Sequence, residues 1–508
     1  MQGQIYQVKD MAAIDKLKSR LSEAFEGLHI TETNTTFEVY DSFDWRLYHK
    51  GWQLTRHNHH YVINACANGQ TICDVMVDAK TPKQFWWDFP ESDFSRCLAA
   101  VVDMRALMSV AVIDKQSTLL NVCNADDKTV VRLEWEAFKR DAGDPPITRC
   151  RLLPVRGYEK AARRVQALFK EMQLPPAKGS PVIAILEQRG AAPGEYSSKI
   201  KVVLEPEVPA AEAVRQVMED LVTTMHVNLP GVRQDIDTEF LHDFRVSVRR
   251  ARSLLGQIKT VLDAETTSSL RAQLKAMGAI TGNVRDLDVY LLKKTEYSER
   301  VPDFLKPGIL QLFRTLQRKR RYAKDRMVKE MSGSDFDATL GNLDTFVESD
   351  PQNEAAGPIG NHPIKDVAKA AIYKRYRRVV KKGRRITEET PDTKLHELRI
   401  DCKKLRYLLE FFSSLFPSSQ MKTLIKQLKQ LQENLGDFND LCVQQDFLIQ
   451  HLSSIKPQTA QVVMLSAAVG GLVSRLFADH QAVREQFLAV FEKFNAPENQ
   501  KRFKTLFA

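Results

Sequence analysis

The 508-residue sequence predicts an α+β multidomain protein, with an N-terminal domain built on a mostly antiparallel sheet and an all-α C-terminal region. Three observations carry that prediction. Up to about residue 177, β-prone residues such as Val39, Trp52, Leu54, Val62, Ile63, Val130, Val131 and Leu133 lie in short runs punctuated by Asn, Asp and Gly. Between residues 175 and 209 the chain is dense in Pro and Gly, which marks a domain boundary. From Ala210 onward the pattern is helical, and one string is stated twice, as HDFRVSVRRAR at 242–252 and HELRIDCKKLR at 396–406. The offset of 154 also carries Leu270, Gln273, Leu274, Lys275, Gly282, Asp286 and Leu287 onto Leu424, Gln427, Leu428, Lys429, Gly436, Asp440 and Leu441 without a gap. A constant register over two successive helical segments implies a duplicated unit.

In the N-terminal domain, residues 1–177, helices are expected near 12–26 and 159–173. The strings YDSFDWRLYHKGWQLTRH at 40–57 and RCRLLPVRGYEKAARRVQALF at 149–169 resemble the CYTH family, the triphosphate tunnel fold. That resemblance implies an antiparallel β-tunnel and a metal-dependent inorganic triphosphatase whose ExExK strand holds the cation. Here IYQVK puts Ile5 and Gln7 at the glutamate positions and keeps Lys9, and Thr55 and His57 stand where the family has tunnel-facing arginines. A hard cation needs oxygen ligands that Ile5 cannot supply, so the domain is expected to be degenerate and without catalytic residues, metal or cofactor. Glu134 and Glu136 alternate on one strand face with Arg132 alongside, and His57 and His59 are expected to share a strand face. The histidines have no carboxylate or cysteine at ligand spacing, so neither group is assigned a metal. Residues 178–206 read as a linker with short strands.

On a helical wheel at about 100° per residue, His242, Arg245, Arg249 and Arg252 fall within roughly 80° of one another, and so do His396, Arg399, Lys403 and Arg406. Beside each basic stripe runs an apolar one: Leu241, Phe244, Val248, Ala251, Leu255 and Ile258 in the first copy, and Leu395, Leu398, Cys402, Leu405, Leu409 and Phe412 in the second. The apolar stripe faces a core, which holds the cations at that core's edge. A lone basic stripe is commonly a solvated face with snorkelling side chains. Solvation alone would let acids replace bases, yet both copies keep positive charge at 245, 249, 250 and 252 and at 399, 403, 404 and 406. An anionic ligand is the simplest common cause. Asp286 and Asp440, which follow a glycine at equivalent positions, read as supports that orient arginines.

The HxxRVxxRRxR string, its repeat as HxxRIxxKKxR, and the later GNVRDLDV and GDFNDLCV closely resemble the CHAD domain, the conserved histidine α-helical domain. The resemblance implies two four-helix halves related by a pseudo-twofold axis, with basic residues lining a central channel that binds inorganic polyphosphate. The domain is placed at 207–500, with halves of about 207–331 and 364–500 and a mobile, protease-sensitive linker at 332–363. The candidate polyphosphate-binding residues are His242, Arg245, Arg249, Arg250, Arg252, Arg314, Arg318, Arg321, Lys374, Arg378, Lys381, His396, Arg399, Lys403, Lys404 and Arg406. Tyr373 and Tyr376 interleave with cations of the second unit's first helix but share its apolar face, and so read as core.

A net charge of +10 favours acidic partners such as polyphosphate, nucleic acid or anionic membrane. The seven scattered cysteines include no CxxC pair and read as reduced, mostly buried thiols without assigned chemistry. The start MQGQIYQVKD lacks the marks of a signal peptide and no run approaches a membrane span, so cytoplasmic residence is expected, at polyphosphate granules. Inorganic polyphosphate is therefore the expected partner, with other granule-associated proteins beside it and no membrane. The two rivals are a metal-dependent triphosphatase using the N-terminal tunnel and a nucleic-acid-binding protein selected by charge alone.

Overall fold

The computed structural model describes residues 4–8, 11–78, 84–141, 143–191, 193–349, 356–453 and 460–508. The chain divides into two compact units, Met1–Ser197 and Ser198–Ala508.

The first unit contains β1 (Gln4–Val8), α1 (Met11–Ala24), β2 (Gly27–Asp41), α2 (Arg46–His49), β3 (Trp52–His57), β4 (His60–Ala65) and β5 (Thr71–Met76). It continues through α3 (Asp93–Val102), β6 (Met108–Cys123), β7 (Thr129–Phe138), β8 (Ile147–Pro154), α4 (Glu159–Glu171) and α5 (Pro181–Gln188). The eight strands form one antiparallel sheet in the order β1-β8-β7-β6-β2-β3-β4-β5. Alternation sorts its two faces. Leu133, Trp135, Cys150 and Leu152 pack with Ile14, Leu17 and Leu21 of α1 and with Val165 and Phe169 of α4. Glu134, Glu136, Arg149 and Arg151 point to the other face, into a cavity of about 370 Å3 that Thr55 and His57 also line.

Two expectations for this unit need correction. Residues 178–206 hold a helix rather than short strands: Pro181 opens α5, and Val182, Ile185 and Leu186 fall on one helical face that packs against Phe37, Val39, Ile113 and Phe138. His59 does not share a strand face with His57, because the chain turns back through Asn58 and His59 to pair His57 with His60. Asn58 sits at φ 54°, the left-handed conformation that such a two-residue hairpin turn requires. Lys9 lies outside the described residues.

The second unit is helical: α6 (Ala210–Gln234), α7 (Thr238–Gln257), α8 (Ala264–Ile280), α9 (Gly282–Leu291), α10 (Lys294–Glu299), α11 (Lys306–Met331) and α12 (Ser334–Glu348). Then come α13 (Ile364–Gly383), α14 (Asp392–Phe411), α15 (Ser418–Ser453), α16 (Ala460–Glu485), α17 (Phe487–Phe494) and α18 (Pro497–Phe507). The repeat is visible in the element bounds. Shifted by 154, α7 coincides with α14, α11 with α16, and the span from the start of α8 to the end of α10 with α15. Each copy is thus four helical segments, α6, α7, α8–α10 and α11 in one and α13, α14, α15 and α16 in the other.

The main chain records the twofold relation directly. The Ala210 N–H donates to the His362 carbonyl at 2.9 Å, and the Ile364 N–H to the Val208 carbonyl at 2.9 Å. A second pair, Ala211 N–H to Gly360 and Lys365 N–H to Pro206, also exchanges under the same shift. A contact from i to j matched by one from the equivalent of i to the equivalent of j is the mark of a twofold interface. Every member of both apolar stripes is buried, from Leu241 and Phe244 to Leu409 and Phe412.

The expected linker at 332–363 is corrected in part, since α12 occupies Ser334–Glu348. Phe336, Leu340, Leu343 and Phe346 recur at helical spacing and are buried there. Residues 350–355 of that segment lie outside the described residues. The expectation that no run reaches membrane-span length is also corrected: Val462–Phe494 is long and apolar enough by composition. Within it Leu465, Ala468, Val469, Leu472 and Leu476 are buried at helical spacing among residues of α11 and α15, so this face serves the bundle core.

Candidate anion-binding site

The site is built on α7 and α14, the two helices that carry the duplicated string. Asp237 caps the N-terminus of α7, its carboxylate accepting from the Glu239 and Phe240 amides at 2.9 and 3.2 Å, whereas Pro391 opens α14. The helices pack on each other through their inner edges. Gln257 donates to the Lys404 carbonyl at 3.0 Å, and Arg250 pairs with Glu410 at 3.2 Å while also donating to the Ser198 carbonyl at 2.5 Å.

Above this contact the two basic stripes converge. Arg249 acts electrostatically on Arg399 and on Lys403, and Lys403 also feels Arg399 and Arg406. Burial first, and these cations second, push the Lys403 ammonium down to about 8. Arg245, Arg285 and Arg399 are lowered in the same direction, with desolvation the leading cause in each. A concentration of partly buried positive charge that lowers its own members costs folding free energy.

Next to it lies a cavity of about 630 Å3, lined by His242, Arg245, Arg249, Arg285 and Lys293 of the first copy and by Asn439, Asp440 and Phe447 of the second. The duplicated histidines make the same contact with different partners. His242 Nδ1 meets Arg285 at 2.8 Å, and His396 Nδ1 meets Asn439 at 2.5 Å, residues 285 and 439 being equivalent under the repeat. Asp440 pairs with Arg399 at 3.2 Å, and Asp286 acts electrostatically on Arg245, in keeping with their reading as supports for arginines.

The predicted residues separate into groups. His242, Arg245, Arg249, Arg399, Lys403 and Arg406 come together; Arg252 is exposed near Gly278, and His396 is exposed at the start of α14. Arg250 is only 9% exposed and pairs with Glu410 of α14, which ties the two helices together. Lys404 turns to the α13 side, beside Arg375, Arg378 and the buried Asp401. Lys374, Arg378 and Lys381 line a different groove of about 1320 Å3, together with Arg377, Arg384, Arg385, Lys501 and Lys504. Tyr376 is buried as expected and stacks on Phe503 at 3.8 Å between ring centroids. Arg314, Arg318 and Arg321 lie exposed on α11 and line neither cavity. The intervening Arg320 turns inward to Asp288 and Asp235.

Sequence reasoning missed Arg285 and Lys293. Arg285 lies inside the GNVRDLDV string, but its equivalent is Asn439, so a search for charge retained in both copies passes over it.

In the first unit, the cavity over the sheet sets Lys115, Arg149 and Arg151 against Glu134 and Glu136. Glu136 is 3% exposed and held by Lys115 at 2.8 Å and Arg149 at 2.6 Å, which keep its carboxyl below the usual range against the desolvation of its burial. Glu134 lies 3.8 Å from Arg151. Ile5 and Gln7 are in register with Arg151 and Arg149 across β1 and β8, on this same face, and Gln7 donates to the Thr148 carbonyl.

A family model for the CHAD domain matches residues 216–449. Two uncharacterized proteins, from two strains of Mycobacterium tuberculosis, are 24% identical over 281 residues, and the chain spans about half the length of these curated relatives. Among solved structures, the CHAD domain from the plant Ricinus communis is 23% identical with a TM-score of 0.49, covering 60% of this chain and 98% of that one. PptA from Streptomyces chartreusis is 16% identical with a TM-score of 0.45, covering 56% and 99%. A Hippeastrum protein described as a putative adenylyl cyclase with a dominant triphosphatase activity is 10% identical, with a TM-score of 0.28 and coverage of 38% and 99%. The eight-stranded antiparallel sheet of the first unit is consistent with a CYTH-like tunnel. The helical unit, with its doubled His-and-Arg string and its twofold main-chain contacts, carries a CHAD domain.

Proposed function

We propose that this protein binds inorganic polyphosphate through the basic surface where α7 and α14 meet, and that this binding directs it to polyphosphate granules in the cytoplasm. The observation that carries the reading is the crowding of Arg249, Arg399, Lys403 and Arg406, contributed by both copies, where burial and then the neighbouring cations lower Lys403 to about 8. Arginines offer fixed planar forks to phosphate oxygens and lysine a mobile point charge, so the set suits a repeating tetrahedral anion. A polyanion laid across both stripes engages the second half-site intramolecularly, which favours long chains over orthophosphate or triphosphate. The separate groove lined by Lys374, Arg378 and Lys381 offers a second basic surface to chains long enough to reach it.

The first unit is proposed to be catalytically inert, because the cations over its sheet are already paired with Glu134 and Glu136 and Ile5 offers no oxygen ligand. The deciding experiment for binding is competition between long-chain polyphosphate and duplex DNA at matched phosphate concentration. Polyphosphate is expected to win; preference for DNA would replace this reading with nucleic-acid binding.

A further inference from the structure

Among the described residues, two groups bring His, Cys and carboxylate ligand atoms within 4.8 Å of one another: His29, Cys123 and Asp127, and Asp392, Cys442 and His480. The first stands on the sheet surface, where His29 and Asp127 form an exposed ion pair. The second is different. His480 of α16 is 4% exposed, with its ring packed at 4.4 Å on Phe438, and its Nε2 lies 3.0 Å from Cys442 Sγ of α15 and 3.6 Å from Asp392 Oδ2 of α14. One imidazole nitrogen facing both sulfur and carboxylate does not form a relay, in which the two partners would sit on opposite ring nitrogens. It is instead the arrangement of ligands around a common centre. Tetrahedral zinc, with bonds of about 2.0–2.3 Å, separates neighbouring ligand atoms by about 3.3–3.6 Å, so the carboxylate is already at that spacing and the sulfur must draw back by about half an ångström to admit the ion.

We infer that Asp392, Cys442 and His480 form a binding site for a thiophilic divalent cation of the zinc class, with the fourth position open to water. Arg484 occupies the other carboxylate oxygen of Asp392 and also donates to the Glu388 carbonyl at 2.8 Å, so it aims Oδ2 at His480 in the way that outer partners orient ligating carboxylates. Asp392 is half exposed, which leaves an entry path. Metal binding displaces the thiol proton to solvent as the sulfur–metal bond forms.

Comparison of the copies supports the assignment. The equivalent of Cys442 is Asp288, and there the helix pair is locked by ion pairs to Arg320, at 2.8 Å, which also grips Asp235. Asp392 and His480 correspond to Thr238 and Arg326, so the three-ligand set belongs to the second copy alone. Asp392 stands one helical turn before His396, so a bound cation would fix the start of the helix that carries the second basic stripe.

The test uses the full chain, stripped of metal and free of polyphosphate, titrated with Co2+ as a spectroscopic probe and with Zn2+ in competition. A thiolate-to-cobalt charge-transfer band at one equivalent, removed by Zn2+, is expected in the wild type and in Cys123→Ser, and its loss is expected in Cys442→Ser and His480→Ala. Zn2+ should also protect Cys442 from alkylation, mapped by mass spectrometry on the wild type, which decides the matter if a variant fails to fold. Absence of the band, its persistence in Cys442→Ser, or unprotected Cys442 at saturating Zn2+ would overturn the inference.

Discussion

The two copies of the helical unit use one arginine in two ways. In the first, Arg245 donates to the Gly278 carbonyl at 2.9 Å and to Thr281 Oγ1 at 2.8 Å, while Thr281 Oγ1 turns back to the Met277 carbonyl at 3.0 Å. Side chains that bond the last carbonyls of a helix compete with its own ladder, and the chain breaks there into α8 and α9. In the second copy Gln432 and Leu435 replace Gly278 and Thr281, Arg399 pairs with Asp440 at 3.2 Å instead, and α15 runs unbroken for 36 residues. Duplication has therefore kept the positive charge while dividing its work. Arg245 is largely built into the fold, and Arg399 among the described residues pairs with a carboxylate that is itself 62% exposed.

The largest effect should come from reversing charge at the meeting point. Arg249→Glu or Lys403→Glu places a carboxylate among the remaining cations, and each is expected to weaken long-chain polyphosphate binding by on the order of 100-fold or more in a calorimetric titration. Salt follows: affinity should fall steeply and linearly on a log–log plot as ionic strength rises, as it does when phosphates release counterions. A flat response would leave cation–phosphate contacts without their role.

The arginine comparison gives the next effect. Arg245→Ala removes bonds to a carbonyl and a hydroxyl at the kink and should lower unfolding free energy by about 1–3 kcal/mol. Arg399→Ala should cost under about 1 kcal/mol, because its partner is exposed, while weakening polyphosphate binding clearly. Chemical denaturation of both variants, with binding in parallel, checks the division. Equal destabilisation would erase the distinction between the copies.

Lys403 sharpens the comparison through pH. Its folded value of about 8 lies below the ordinary 10.5, so the folded state disfavours the charged form. The stabilisation present above pH 10.5 is lost as pH falls through about 8, which leaves the ligand-free protein strained at neutral pH. Lys403→Met should thus raise stability at pH 7 by about 1–2 kcal/mol after allowance for solvent screening, yet weaken binding. Near and above pH 8, where free Lys403 loses its proton, polyphosphate restores the charge, so binding there takes up a proton and affinity should decline above about pH 8 in the wild type but less so in Lys403→Met. Calorimetry in buffers of different ionisation enthalpy reads that proton directly.

Much of this was legible in the chain. The offset of 154 fixes the duplicated helices, and the wheel separates a buried apolar stripe from a basic one residue by residue. The degenerate tunnel face was legible too, since Ile5, Gln7, Thr55 and His57 do turn to the inner side of the sheet. What periodicity does not report is which neighbour a long side chain reaches. Arg250 and Lys404 sit at retained charges, yet Arg250 pairs across the helix contact with Glu410 and Lys404 lies beside Arg375, Arg378 and Asp401, because the stripe is wider than the surface it exposes. Arg285 serves the site without a charged counterpart at 439. The α5 and α12 helices were hidden by flanking Pro and Gly, although each carries apolar residues at helical spacing once its short length is allowed for.

The central claim is that both stripes act on one ligand. A chain-length titration, from orthophosphate through triphosphate to long polyphosphate, on the wild type, Arg249→Glu and Lys403→Glu, with circular dichroism to confirm folding, tests it most directly. The account predicts far tighter binding of long chains by the wild type and severe loss of that advantage in each single variant. Equal affinity for short and long chains, or dependence on one stripe alone, would contradict it.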